Sequence, residues 1–226
     1  MPRRLPGEQV SCDHPGMPLR LLLPLLLLCG CVSMNRYGTA RTLPAGEANT
    51  SVTFDAMLAT APGMEQADVT SFVAPHLRHN RGLAPGTELV LDLGLPGTLG
   101  ADVKVELYRG GAIDLAVAPG ASMSWLGRTA PSFGGEVHLP VLADVVVAPW
   151  LVLVPQASVG WLAAKEEASS ELRHSPAAGG GLGLYLRVAD TFSVQPVAST
   201  TVELDTLYAH HRFGLAFSFG TQPSFR

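Results

Sequence analysis

From residue 50 onward, apolar and polar side chains alternate with a period of two, the pattern of strands with one apolar face. Val52, Phe54, Ala56 and Leu58 fall on one side, and Ser51, Thr53, Asp55 and Met57 on the other. The clearest stretch is 86–95, where Leu89, Leu91, Leu93 and Leu95 oppose Glu88, Val90 and Asp92. In 101–108, Val103, Val105 and Leu107 oppose Asp102, Lys104 and Glu106. In 113–125, Ile113, Leu115, Val117, Met123 and Trp125 oppose Asp114, Ala116, Ser122 and Ser124. The alternation returns in 136–147, 151–161, 182–188, 192–203 and 212–219, and more weakly in 68–77. This predicts about ten strands. Pro119, Pro140, Pro155 and Pro196 fall inside them and predict bulges or local breaks, because proline cannot donate to a ladder.

Several of these strands have the length a tilted strand needs to cross a bilayer, about 9–11 residues. Tight connections such as 109–112, 148–149 and 189–190 alternate with longer polar ones at 59–67, 127–135 and 163–178. Turns at one end and loops at the other is the arrangement of outer-membrane barrels. Two connections fit less well: 95–100 is short for a loop and 78–85 is long for a turn. The predicted fold is all-β, an antiparallel up-and-down transmembrane β-barrel of about ten strands (eight to ten) over residues 50–220.

Alternation alone does not say which face meets lipid. A soluble barrel would turn its leucines inward and its charges to water. Two features favour the inverse. The polar face carries many small residues, which suits a narrow lumen filled by side chains. Trp125, Trp150, Trp161 and Phe219 fall near strand ends, where aromatic girdles sit. Glu88, Asp92, Asp102, Lys104, Glu106, Asp114, Arg187, Glu203 and Arg212 then face the lumen. Charges of both signs in so small a space must pair, which points to a narrow or plugged barrel.

Composition agrees. Only 15% of the 226 residues are charged and 47% are hydrophobic, against about a quarter charged in soluble domains. The formal charge of −4 leaves no electrostatic footprint for nucleic acid.

Ahead of the strands, Arg20 and the apolar run 21–28 form the charged and apolar regions of a secretory signal, too short to span a bilayer as a helix. Residues 1–16 lie outside that pattern, and Met17 is an alternative start. The run ends in Leu28-Cys29-Gly30-Cys31, which resembles a lipobox, where the signal is cut and the new N-terminal Cys is acylated. The expected organisation is a leader over 1–30, a lipidated tether over 31–49, the barrel, and a tail over 221–226.

Cys31, the segment ARTLPAGE at 40–47 and the strands that follow resemble a family of largely uncharacterised bacterial outer-membrane β-barrel lipoproteins. The likeness continues through Asn80-Arg81-Gly82-Leu83, Ala101 to Leu107 and Asp114 to Gly120. It implies an outer-membrane location with lipidation at Cys31, outer-membrane lipid as the constant partner, and no particular activity. Lipopolysaccharide or an apolar small molecule are further candidate partners.

No motif carries catalysis or a cofactor. His76 and His79 have the spacing of a metal pair but lack a third ligand. His210 and His211 point to opposite faces of a strand. His138 shares a face with Asp144 and Ser158, a set from which a lipid-modifying barrel enzyme could be built, but no motif brings them together. The glycine run 179–183 enters a strand rather than a helix, so it lacks the context of a phosphate loop. The expected role is non-enzymatic: a structural or binding protein of the bacterial envelope. The alternatives are a soluble periplasmic lipocalin-like lipoprotein, with an apolar ligand against its leucine face, and the barrel enzyme centred on His138.

Overall fold

The computed structural model describes residues 36–60, 74–95, 97–126, 132–165 and 172–225. Cys31 and the leader lie outside the described residues. Among the described residues eleven strands form: β1 Ala48–Thr60, β2 Ala74–Ala84, β3 Thr87–Gly94, β4 Thr98–Arg109, β5 Ile113–Val117, β6 Gly120–Leu126, β7 Ser132–Ala148, β8 Leu151–Lys165, β9 Leu172–Ala189, β10 Phe192–Glu203 and β11 Ala209–Gly220. Each pairs antiparallel with its neighbour around a ring that closes between β1 and β11. β5 and β6 both lie between β4 and β7, so together they fill one position. The result is a closed antiparallel barrel of ten strand positions.

The proline between β5 and β6 explains their separation. Pro119 cannot donate, and its carbonyl accepts from Val103 N instead. The ladder lapses locally at Pro155, opposite β7, and at Pro196, opposite β9, but no strand ends at Pro140, Pro155 or Pro196. These lie within continuous β7, β8 and β10. The register shifts fall elsewhere, at Gly82/Ala84, Glu106/Tyr108, Val146/Ala148 and Phe192/Ser193. All four lie at the end of the barrel that carries the short connections, here the turn end.

The strand expected at 68–77 is displaced: among the described residues it is β2, running to Ala84. The long turn expected at 78–85 shrinks to Pro85-Gly86. Gly86 has φ +76°, and Pro followed by a positive-φ Gly is the signature of a type II turn. The polar connections at 127–135 and 163–178 are likewise shorter than expected, because β7 begins at Ser132, β8 extends to Lys165 and β9 begins at Leu172.

The faces are inverted relative to a soluble barrel. Leu91, Leu93, Leu99, Val103, Leu115, Val141 and Leu182 are exposed on the outside, while Glu88, Asp92, Asp102, Lys104 and Asp114 are buried inside. Phe133, Trp125 and Trp161 are exposed on the outer face near the loop end, and Tyr108, Trp150 and Phe219 near the turn end. This is the surface of a barrel that crosses a bilayer, with an apolar band between aromatic girdles. An arginine at Leu91, about half-way up β3, is expected to destabilise the membrane-inserted barrel by about 2–4 kcal/mol. Unfolding from lipid vesicles in urea measures this, and an unchanged midpoint would mean that the position faces water.

Candidate functional site: a strap inside a charged lumen

Of residues 36–47, ahead of the first strand, 36–43 lie in the lumen and 44–47 emerge at the turn-end rim. Tyr37, Thr39, Ala40, Arg41, Thr42 and Leu43 are all buried. The segment cannot form a ladder of its own, so its backbone donors need other partners. Wall side chains supply them. Gly38 N donates to Gln195 Oε1 at 2.7 Å, and Gln195 Nε2 donates back to Gly38 O at 3.0 Å. Ala40 N and Arg41 N donate to the two oxygens of Asp144 at 2.8 and 3.1 Å. Thr42 N donates to Glu106 at 3.3 Å and Leu43 N to Glu88 at 2.8 Å. The carbonyls of Thr39 and Arg41 accept from Lys104 Nζ at 3.1 and 2.9 Å. This strap runs from mid-lumen toward the turn end, where Gly46 N donates to Gly82 O and Gly82 N to Glu47 O, both at 2.9 Å. A Cβ on Gly82 would collide with the carbonyls of Leu43 and Pro44, so the glycine is what lets the strap lie against β2.

Arg41 anchors the lower strap. Its Nε lies 2.6 Å from Asp114 Oδ2, its guanidinium donates to Ser224 O and Gly110 O, and it sits 4.6 Å above the Phe225 ring. The tail therefore lies inside as well. Phe225 packs on Tyr185 with ring centroids 5.7 Å apart, and both join Ala40, Ala116, Leu142, Val152 and Val154 in a small apolar cluster. Gln222 accepts from Tyr185 and Ser193. Strap and tail together close the turn end.

The nine charges expected in the lumen occupy three levels. Glu88, Glu106 and Asp114 hold the strap near the turn end. Glu88 pairs with Lys104 at 2.9 Å, and Glu106 also pairs with Arg109 at the rim. At mid-height, Asp102 lies 2.7 Å from His138 Nε2, 3.7 Å from Arg36 and 4.0 Å from Arg78. Asp92 lies 3.5 Å from His76 and 3.6 Å from Arg78. Arg212 is buried in the wall of β11. The remaining two sit at the ends. Arg187 pairs with the exposed Asp190 at the turn-end rim, and Glu203 pairs with His210 at the loop end.

The residues weighed for chemistry are kept apart or occupied. His76 and His79 lie on opposite faces of β2, His76 Nδ1 3.5 Å from Asp92 and His79 hydrogen-bonded to Thr50. His211 contacts Thr60 and Thr200, away from His210. Both ring nitrogens of His138 face carboxylates, Asp102 and Glu136, and Asp144 is engaged by the strap. Among the described residues no group of three or more His, Cys, Asp or Glu could hold a metal. The leucine face points outward, so the cavity that a lipocalin-like reading would use is absent from it.

No protein-family model matches the chain, and no curated protein does either. Solved structures do resemble it. An outer-membrane channel from Pseudomonas putida F1 is 11% identical, with a TM-score of 0.47, over 83% of this chain and 100% of that one. Ail, the attachment invasion locus protein of Yersinia pestis, is 12% identical, with a TM-score of 0.38, over 77% of this chain and 99% of its own. The outer-membrane protease OmpT from Escherichia coli is 6% identical, with a TM-score of 0.44, over 83% of this chain and 100% of its own. At such identities and scores these likenesses carry no functional argument.

Proposed function

We propose that this chain is a lipid-anchored β-barrel of the bacterial outer membrane with a structural or binding role in the envelope, its lumen stoppered by its own N-terminal strap. The observation that carries the reading is the pairing of an outward leucine face with an inward charged face, whose Glu88, Lys104, Glu106, Asp114 and Asp144 hold the strap. The role we propose is non-enzymatic; it is supported among the described residues by His138 being held between Asp102 and Glu136 and Asp144 by the strap. The anchor is assigned to Cys31, on the lipobox pattern at the end of the apolar run.

Heat-modifiability of the detergent-extracted protein tests the barrel. An unheated sample that migrates apart from a boiled one supports it, and identical migration counts against it. Cys31→Ser tests the anchor separately. The N-terminal peptide is expected to lose its acyl mass in mass spectrometry, while the heat shift persists because the strands still hold the barrel in the membrane. An N-terminal peptide that differs from the native one only by the exchange of sulfur for oxygen would remove the anchor from the reading.

A further inference from the structure

The strap occupies a lumen whose wall is acidic where the strap is most tightly held. Around residues 39–43 the wall presents Glu88, Glu106, Asp114 and Asp144, against Lys104 and, at the rim, Arg109. Arg41 and the strap's N–H groups offset that excess. At the strap's upper tip, Arg36 borders a cavity lined by Glu136, Gln156, Ser158, Ser199 and Thr201. Glu136 is only 8% exposed. Its Oε1 is bound by Arg36 at 3.2 Å, but its Oε2 has no donor, and neither has Gln156 Oε1. Arg36, His138 and Arg212 all act on Glu136; without Arg36, the carboxylates Asp92, Asp102 and Glu136 outnumber the guanidinium groups of Arg78 and Arg212 at this height, a balance that favours a cation over an anion.

Glycines of β9 make room for this cavity. A Cβ on Gly179 would lie 3.0 and 3.1 Å from the hydroxyls of Thr201 and Ser158, and one on Gly181 would lie 2.9 Å from Gln156 Nε2. The glycine run thus leaves bare backbone between two polar rows, Gln156 and Ser158 on β8 and Ser199 and Thr201 on β10.

We propose that the lumen is a conduit for small inorganic cations, entered through the Glu136–Gln156 cavity and held shut by the strap through Arg41. This rests on the stoppered-barrel reading and adds what the stopper controls. With the strap in place, its backbone donors, Arg36 and Arg41 occupy the acidic path. With the strap withdrawn, the path keeps its carboxylates and loses two positive charges. Arg41 also binds the tail through Ser224 and Phe225, so one residue latches both closures of the turn end.

The test uses full-length protein in planar bilayers bathed in a potassium chloride gradient, with currents read only from preparations that shift on heating. The native barrel is expected to stay closed. Arg41→Glu places a carboxylate against Asp114 and is expected to give steady open-channel current. Arg41→Glu combined with Asp114→Arg restores the pair with reversed polarity and is expected to close it again. Ala40→Pro removes the N–H that binds Asp144 without changing any charge, so its reversal potential reports selectivity, expected to favour potassium over chloride. Either single variant staying closed while still heat-modifiable would overturn the conduit, as would chloride preference in Ala40→Pro. Loss of folding in both single variants, not rescued by Asp114→Arg, would show that the strap is part of the barrel's core and not a gate. Steady current through the native protein would instead sink the stoppered-barrel reading itself.

Discussion

Asp144→Ala is expected to lower the stability of the folded barrel by about 3–6 kcal/mol, because hydrogen bonds to a charged acceptor contribute about 1.5–3 kcal/mol each and this carboxylate accepts two. Its oxygens take the N–H groups of Ala40 and Arg41, and the side chain is fully buried. Once it is gone, two strap donors have no partner in a site closed to bulk water. The strap can recover them only by leaving the lumen, which also pulls Ala40 from the apolar cluster around Phe225. The shift from folded to unfolded mobility on semi-native gels, followed against temperature, reads the loss. Asp144→Asn keeps one acceptor and is expected to fall between the two. A native midpoint in Asp144→Ala would mean that the strap does not depend on this carboxylate.

Lys104→Met is expected to cost about 3–5 kcal/mol, the penalty for removing one partner of a buried ion pair. Lys104 Nζ lies 2.9 Å from Glu88 Oε1 and donates to the carbonyls of Thr39 and Arg41. Glu88 is 2% exposed, so its charge has no recourse to solvent. The Leu43 N–H remains as a partner but does not balance the charge. Adding Glu88→Gln removes the stranded charge and keeps an acceptor for Leu43, so the double variant is expected to recover much of the loss. If the double were no better than the single, the damage would lie in the two strap carbonyls and not in Glu88. Thermal midpoints of the four proteins in one detergent complete the cycle.

The strands were legible because their apolar residues face lipid all around the barrel, so alternation is strong wherever the wall crosses the membrane. The phase was legible for the same reason: Leu91 outside fixes Glu88 and Asp92 inside. β2 was misplaced because its outward residues near the turn end include His79 and Arg81, which break the apolar row, and because Asn80-Arg81-Gly82 reads locally as a turn. The inward run of Val152, Val154 and Tyr185 was invisible as a core, since apolar residues on both faces of β8 do not say which side packs on the tail.

The strap was the largest feature the pattern hid. Residues 36–47 are polar and broken by Gly38, Pro44 and Gly46, which is equally the composition of a solvated tether. What holds residues 36–43 inside is side-chain acceptors on strands far along the chain, Gln195 and Asp144 above all. Pairings at such separations leave no periodic trace. Of the charges expected inside, Glu88, Asp92, Asp102, Lys104, Asp114 and Arg212 are buried and Glu106, Arg187 and Glu203 are half-buried toward the ends; that division depends on strand register, as does the engagement of His138 by Asp102 and Glu136.

The most direct measurement is maleimide labelling of a single cysteine at Thr39, in a chain whose native cysteines are replaced by serine, in isolated outer membranes with a bulky hydrophilic reagent. Thr39 is 1% exposed and lies under Lys104. The expected result is no labelling of the folded barrel and complete labelling after boiling. Rapid labelling of the unheated, still heat-modifiable protein would place the strap outside the lumen and contradict the stoppered barrel.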